Sequence, residues 1–349
     1  MYLLTVMAVV CSTPFCNAQP EMQLYYQMCD ASAAVAINDS FFIVANDEDN
    51  ILRIYHQYGT RPAFSFDLSR FLDIEYDSKS PESDLEGATP IGSFYFFISS
   101  FGRNKSGAIR YNRHQFFALH IDEGTFEMKM IGRSHHDLLK DIIFADEGNR
   151  KYLYEAYQPN REKVGRLAPK KQGVNIEGLA ATPDGKAIYI GFRNPLHQGK
   201  ALLVKLNNPF DVVLGRSEPD LSPIILLDLE GKGIRCMEYV PHLQHYFIIA
   251  GPRDGDSTFA YYLWSGKDQE APKRCFDIGQ PFGDNFTPEA FIFFENQDRS
   301  LFLSDDGTTS VRDDDGRYYP CKKLENRDLK RFRGMWVPLD LLSNVNFPE

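Results

Sequence analysis

The residues of this chain that could do chemistry recur at one position of a repeated pattern. Glu86 and Glu177 each follow a polar and an apolar residue and precede a glycine, in Asp-Leu-Glu-Gly and Asn-Ile-Glu-Gly. Weaker copies of the pattern place Ser32, Arg235 and Glu289 at the equivalent position. If the fold brings these copies together, their side chains form one polar site.

Three carboxylates in one place would suit a hard cation. Calcium takes six to eight oxygen ligands, including carboxylates and carbonyls. Glu86, Glu177 and Glu289 are therefore candidate metal ligands, with calcium as the expected ion. Such an ion would polarise a carbonyl or phosphoryl oxygen, or lower the pKa of a bound water. This chemistry would suit a hydrolase of an ester, a lactone or a phosphoester.

Arginines near the same position offer a second chemistry. Arg103, Arg193 and Arg235 could bind a carboxylate or a phosphate through paired hydrogen bonds, and Asn194 and Asp305 would complete a polar ligand site. The sequence leaves a third alternative open, in which the polar network serves only the fold. We expect a protein that binds an anionic or sugar-like small ligand, with metal-assisted hydrolysis as the alternative.

Glu177 and Arg193 lie at the two ends of a predicted β-hairpin. Residues 176–181 and 187–192 are rich in strand-forming side chains, and Pro183-Asp-Gly between them has turn chemistry. In an antiparallel pair, the start of one strand and the end of the next lie at the same edge. We therefore expect Glu177 and Arg193 to face one site and to interact.

The spacing of the copies predicts a β-propeller. Successive copies are 54, 91, 58 and 54 residues apart, and repeats of about 40–50 residues with several strands each are typical of propeller blades. The longest gap has room for a degenerate copy. We predict an all-β, six-bladed propeller of four-stranded antiparallel blades, forming one domain over residues 22–340. A helix over residues 134–144 is expected within the third blade.

The N-terminus resembles a secretory signal peptide. The first twenty residues contain no Asp, Glu, Lys or Arg, Leu3 to Val10 is apolar, and Cys16-Asn-Ala resembles a cleavage site. The alternative is a buried N-terminal strand. We expect residues 1–18 to be removed and the mature protein to be secreted or periplasmic.

The charge, hydropathy and cysteine content of the chain limit the classes of partner that it could bind. The net charge is −10 and the charges are scattered, which argues against a nucleic-acid partner. No further apolar stretch is long enough to span a membrane, and we expect a monomer. Cys29, Cys236, Cys275 and Cys321 would remain after cleavage, and their three possible pairings cannot be told apart from the sequence.

Several segments resemble the bacterial family called domain of unknown function 3616. They are Cys29-Asp-Ala-Ser-Ala-Ala34, Asp84-Leu-Glu-Gly-Ala88, Arg110 to Arg113, Asn175-Ile-Glu-Gly-Leu179 and Gly191-Phe-Arg-Asn-Pro195. The resemblance implies a β-propeller without an established activity. More distantly, the Glu-Gly repeats are similar to phytase-like esterases and to gluconolactonase-like and strictosidine-synthase-like propellers. In the lactonases, acidic and amide side chains hold a calcium ion on the propeller axis.

Overall fold

The computed structural model describes residues 20–74, 81–253, 258–275 and 286–342. These residues form a ring of five antiparallel sheets, or blades, with four strands each. The first strand of every blade contacts the first strands of the blades before and after it, and the fifth blade returns to the first. These five inner strands surround the central channel.

The strands occur in chain order within the first four blades. A separate N-terminal strand, β1, spans Glu21–Tyr26. Blade 1 contains β2 (Ala33–Ala36), β3 (Phe41–Ala45), β4 (Ile51–His56) and β5 (Pro62–Asp67). Blade 2 contains β6 (Leu85–Ile91), β7 (Phe94–Ser99), β8 (Phe116–Ile121) and β9 (Met128–Ile131). Blade 3 contains β10 (Asn175–Ala181), β11 (Ile188–Asn194), β12 (Ala201–Leu206) and β13 (Ile225–Leu227).

The later blades complete the ring. Blade 4 contains β14 (Gly233–Val240), β15 (His245–Gly251), β16 (Ala260–Trp264) and β17 (Lys273–Arg274). Blade 5 contains β18 (Pro288–Ile292) and β19 (Arg299–Ser304), and then a hairpin of β20 (Ser310–Arg312) and β21 (Tyr318–Pro320) precedes its third strand, β22 (Arg331–Pro338).

Strand β1 supplies the fourth strand of blade 5 and so closes the ring. It pairs antiparallel with β22, with Leu24 opposite Arg333. A disulfide between Cys29 and Cys321 also links the chain entering blade 1 to the segment after the blade 5 hairpin. Cys236 and Cys275 are free thiols.

The prediction of six blades is wrong, because the expected third blade is helical. Helix α1 spans Leu138–Phe144 and α2 spans Glu147–Tyr157, and both lie between blades 2 and 3. The helix predicted over residues 134–144 is therefore present, but it belongs to a connection and not to a blade. The side chain of Asp146 caps α2 by accepting a hydrogen bond from the amide of Asn149. Two short helices follow elsewhere, α3 (Pro209–Val213) and α4 (Leu339–Leu342).

The blades are held together by apolar side chains at the seams between them. In the described part of the chain, five apolar clusters each lie between two neighbouring blades. Alternate side chains of a strand point to opposite faces of a sheet. In β7, Phe96 and Ile98 accordingly pack toward blade 3, whereas Tyr95 and Phe97 pack toward blade 1. This explains why the second strands are nearly continuous apolar runs.

Within the described residues, no helix is long and apolar enough to cross a membrane.

Candidate functional site

The repeated pattern marks a β-bulge in four of the five inner strands. Glu86, Glu177, Arg235 and Glu289 each lie between two residues that pair with the neighbouring strand, but have no partner themselves. A bulge of this kind redirects the side chain of the extra residue. The fifth equivalent, Ser32, precedes β2 directly and donates a hydrogen bond of 2.6 Å to the carbonyl of the residue before Glu86.

The glycine of the Glu-Gly motif is required by the close approach of neighbouring inner strands. A Cβ atom at Gly178 would lie 2.6 Å from Ile234 Cγ2 in the next blade, and one at Gly87 would lie 2.9 Å from Leu179 Cβ. These separations leave no room for a side chain. The Glu-Gly motif therefore meets two structural requirements. Its first residue is a polar side chain redirected by the bulge, and its glycine allows the inner strands to pack tightly around the channel.

Glu177 is the centre of a chain of charges that crosses blades 3, 4 and 5. Its Oε1 lies 2.9 Å from Arg193 Nη1 and also accepts a hydrogen bond from the Asn175 side chain. Its Oε2 lies 3.0 Å from Arg235 Nε. These two atoms form an ion pair, but they are not aligned for a hydrogen bond. Arg235 also pairs with Glu289 through Nη2. The structure thus brings the predicted pair of Glu177 and Arg193 into direct contact.

The other arginine proposed for an anionic ligand is engaged by backbone groups. The Arg103 guanidinium donates to five carbonyl oxygens, at residue 107 and within residues 157–162. Arg193, besides its bond to Glu177, donates to the carbonyls of Pro252 and Arg253. These contacts hold loops around the rim of the channel.

Asn194 has a similar role. Its side-chain amide donates to three carbonyls within residues 169–173, the shortest bond being 2.6 Å. Ser100, in the equivalent loop of blade 2, pairs with Asp84. Ser100 and Arg103 follow β7, and Arg193 and Asn194 end β11, so all four lie at the end of a second strand. Protein groups engage their side chains, although the buried Oδ1 of Asn194 has no hydrogen-bond partner among the described residues.

Carboxylates gather on the side of the channel formed by blades 5, 1 and 2. One oxygen from each of Asp30, Glu289 and Asp305 lies within 4.8 Å of the other two. Asp47 and Glu86 are close enough to influence the charge of Asp30. These five residues are called the acidic mouth below. Of the three residues whose oxygens are close enough to share an ion, only Glu289 belongs to the metal set predicted from sequence. Glu177 is paired with two arginines, and Glu86 lies beside the three.

Burial and mutual repulsion disfavour the charged forms of Asp30, Asp47 and Glu86. The Asp30 side chain is only 8% exposed, and burial raises its pKa well above its usual range. Asp47, Asp305 and Glu86 raise the pKa of Asp30 further through their negative charges. The pKa of Asp47 is raised as well, first by burial and then by Asp305. No protein donor among the described residues bonds to the buried Oδ1 atoms of Asp30 and Asp47, and these two carboxyls can bond only to each other, when one of them holds a proton.

Sequence reasoning missed Asp30, although a signal for it existed. Asp30, Asp84 and Asn175 all stand two positions before the repeated Ser or Glu. In the two other copies this side chain has a protein partner. Asp84 Oδ2 lies 2.8 Å from Arg113 Nη1, and Asn175 donates to Glu177. A polar residue repeated at this position indicates a second ring of side chains around the channel.

The fold and its channel define a five-bladed β-propeller with a carboxylate-rich mouth. Residues 122–281, just under half of the chain, match the family model described as "Protein of unknown function (DUF3616)". This match confirms the resemblance expected from the sequence. No curated protein matches the chain.

Three solved structures illustrate what the fold is similar to. Hydrazine synthase from Kuenenia stuttgartiensis is 12% identical, with 79% of this chain and 65% of that chain covered and a TM-score of 0.35. Virginiamycin B lyase from Staphylococcus aureus is 9% identical, with 91% and 100% covered and a TM-score of 0.35. A protein of unknown function from Bacteroides thetaiotaomicron is 8% identical, with 91% and 76% covered and a TM-score of 0.39. Scores this low support no inference about function.

Proposed function

We propose that this propeller is a binding protein whose acidic mouth holds a divalent cation of the calcium class. Asp30, Glu289 and Asp305 supply the protein ligands. An anionic or sugar-like small molecule then binds by donating its oxygens to the coordination positions that the protein leaves open. The observation that carries the proposal is the buried Asp30 carboxyl, which lies close to two more carboxyls and has an oxygen to which no protein donor bonds in the described part of the chain.

The spacing of the three oxygens suits one ion. Calcium binds oxygens at about 2.3–2.6 Å, so two of its ligands are at most about 5 Å apart. Oxygens of Asp30, Glu289 and Asp305 that all lie within 4.8 Å of one another meet this limit. Carboxylates are also the ligands that a hard cation prefers.

Repulsion between these groups supplies the driving force. Two unit charges at 4.8 Å repel by roughly 3.5 kcal/mol when the effective dielectric constant is about 20. The cluster must therefore take up protons or a cation. A divalent ion removes the repulsion among all three carboxylates at once, whereas a proton neutralises one group.

The equivalent positions in neighbouring blades strengthen this argument. Asp84 has Arg113 and Ser100 as partners, and Asn175 has Glu177. Asp30 occupies the same position of the repeat without such a partner for Oδ1 among the described residues. A bound ligand would give the Asp30 carboxyl the partner that the equivalent side chains have within the protein.

A cation also explains how an anionic ligand could bind. The guanidinium groups of Arg193, Arg235 and Arg103 are engaged by carboxylates and carbonyls. A phosphate or carboxylate that used them would have to displace those partners. A cation in the acidic mouth would supply the positive charge without breaking the network.

Calcium titration of chelator-treated protein tests the proposal. Isothermal calorimetry and terbium luminescence should show one site, and calcium at a hundred times its dissociation constant should stabilise the fold by about 2.7 kcal/mol. Asp305→Asn should weaken calcium binding by about tenfold or more. Asn can still accept the bond of 2.7 Å from the Gly307 amide that Asp305 accepts, so folding should be kept.

Asp315→Asn is the matched control, since Asp315 is exposed on the turn of the blade 5 hairpin. Its calcium affinity should equal that of the unchanged protein. If calcium, magnesium and manganese all fail to bind, or if Asp305→Asn binds calcium as tightly as the control, the cation proposal is wrong.

The alternative function is metal-assisted hydrolysis of an ester, a lactone or a phosphoester. The observation in its favour is that Asp47 and Glu86 add two carboxyls beside the proposed ligands. A bound divalent cation would polarise the oxygen of the scissile group. Calcium-dependent turnover of nitrophenyl esters, a lactone or nitrophenyl phosphate, lost in Glu86→Gln while calcium binding remains, would support this function. Equal rates with calcium and with chelator would contradict it.

We also propose that the protein works after export. The Cys29–Cys321 disulfide supports this, since such bonds persist in oxidising compartments. The predicted signal peptide, residues 1–18, lies outside the described residues. N-terminal sequencing of exported protein should find a start near Gln19, and a cytoplasmic chain that keeps Met1 would contradict export.

A further inference from the structure

A second cavity lies at the end of the channel opposite the acidic mouth. It has a volume of about 630 Å³ and is bordered by the turns between the first and second strands of the blades. All five blades contribute, through Ile37, Pro90, Thr182, Tyr239 and Phe293. These residues follow the bulge positions by four or five residues, which corresponds to about 13–17 Å along a strand. We call this the hairpin-side cavity.

The polar lining of the hairpin-side cavity is acidic. Asp39, Glu123, Glu238 and Glu295 line it, and no lysine, arginine or histidine does so within the described chain. Glu238 lies on inner strand β14 and accepts a bond of 3.2 Å from the neutral amide of Phe293. No lysine, arginine or histidine among the described lining residues can pair with this carboxyl. Burial raises the pKa of Glu238, so a cation bound beside it would displace its proton and favour the carboxylate.

The remaining lining is apolar and aromatic. Pro90, Pro183 and Pro241 contribute rigid apolar surface, and Tyr239 and Phe293 contribute aromatic rings. Aromatic faces attract ammonium groups, most strongly when water is excluded. Acidic and aromatic groups together are the lining that recognises an organic cation.

A metal ion suits this cavity less well than an organic cation. Among the described residues, Asp30, Glu289 and Asp305 form the group whose carboxylates are close enough to share an ion, and that group lies at the other end of the channel. The volume falls in the range of about 300–1,000 Å³ that is usual for small-molecule sites. Anions would meet only negative charge here.

We infer that the hairpin-side cavity binds a small organic cation, an amine or a quaternary ammonium compound. The positive group lies against the carboxylate of Glu238, and the apolar part of the ligand packs against Tyr239 and Phe293. This site is separate from the acidic mouth, and its ligand does not depend on the cation proposed there.

Choline and its neutral isostere 3,3-dimethyl-1-butanol provide the test, because they share a shape and differ in charge. Calorimetry should show choline binding at least about tenfold more tightly than the isostere, equivalent to 1.4 kcal/mol. Glu238→Gln should remove most of this preference while the melting temperature shows a folded protein. Gln can still accept the Phe293 amide bond, so the variant isolates the charge.

Two further variants separate this site from the acidic mouth. Tyr239→Leu should weaken choline binding by about threefold or more through the lost aromatic face. Asp305→Asn should leave choline binding unchanged, and Glu238→Gln should leave calcium binding unchanged. Equal affinities for choline and the isostere, an unaltered choline affinity in Glu238→Gln, or no binding of choline, propylamine or arginine methyl ester would each overturn the inference.

Discussion

Replacing Glu177 should destabilise the propeller more than replacing either of its arginine partners. Glu177 is 4% exposed and contacts Arg193 at 2.9 Å and Arg235 at 3.0 Å. Glu177→Gln keeps the shape of the side chain but removes the charge that compensates both guanidinium groups. Removing one partner of a buried ion pair costs about 3–5 kcal/mol, so we expect a loss in this range.

Replacing Arg193 should cost less folding stability than replacing Glu177, because the network keeps a second arginine. In Arg193→Gln, the Glu177 carboxylate retains Arg235 and the amide of Asn175. We expect a loss of about 1–3 kcal/mol, the cost of an unsatisfied buried group. The double variant should be more stable than the sum of the two losses implies, by about 0.5–3 kcal/mol, because the two side chains are in contact.

Urea unfolding, followed through the fluorescence of the buried Trp264 and Trp336, measures these free energies. Asp211→Asn and Arg216→Gln form a matched control cycle, since their side chains are 3.9 Å apart and largely exposed. That cycle should show no measurable coupling. Strictly additive losses at Glu177 and Arg193 would refute the argument that these two side chains are energetically coupled. Variants that keep full stability but lose ligand binding would instead assign the pair to function.

Three further predictions concern the closure of the ring, its packing and its pH dependence. Cys29→Ser combined with Cys321→Ser should destabilise the fold by about 2–5 kcal/mol, and reducing agent should lower the melting temperature of the unchanged protein but not of the double variant. Gly233→Ala should destabilise the protein by roughly 1–3 kcal/mol in urea unfolding, because its Cβ would lie 2.0 Å from a backbone oxygen of the neighbouring blade, whereas Gly165→Ala, with its nearest atom at 4.0 Å, should not. Burial raises the pKa of Glu238 well above 4.5, so the folded state holds this proton more tightly than the unfolded chain, and stability is lost as the pH rises through the folded-state pKa. Glu238→Gln should flatten this decline above about pH 4.5 in melting experiments, and an unchanged slope would contradict it.

The propeller class could be predicted from the sequence because the structure of the inner strands requires particular residues at fixed positions. A bulge needs an extra residue, and the close approach of strands at Gly87 and Gly178 excludes a side chain. These requirements produce the Glu-Gly motif. The second strand of each blade carries a related signal. Both faces of the sheet are buried there, so Phe41–Ala45 and Phe94–Ser99 are nearly continuous apolar runs.

The blade number could not be predicted from the repeat alone. The 91-residue spacing between Glu86 and Glu177 fits either a degenerate blade or a long connection. Helix α2 buries only Asn149, Leu153 and Ala156, so its apolar periodicity is weak. Sequence spacing measures chain length, whereas the blade number depends on whether the intervening chain forms a sheet.

The sequence indicated where the candidate site lies, but not which residues pair with one another there. The convergence of the bulge residues follows from the repeat, and so does the contact of Glu177 with Arg193. The pairing of Cys29 with Cys321 and the burial of Asp30 depend on how the two ends of the chain meet at ring closure. No local pattern contains that information, because the residues concerned are 292 positions apart in the disulfide.

Arg235 explains why the carboxylates on one side of the channel mouth have arginine partners and those on the other side do not. It occupies a position that is glutamate in three other copies of the repeat, and it contacts both Glu177 and Glu289. With Arg193, it compensates the carboxylate of blade 3 and part of the charge of blade 5. Asp30 and Asp305 form no ion pair with either arginine among the described residues, and burial raises the pKa of Asp30 well above its usual range. The carboxyls without an arginine partner thus gather on blades 5 and 1, where we propose that a cation binds.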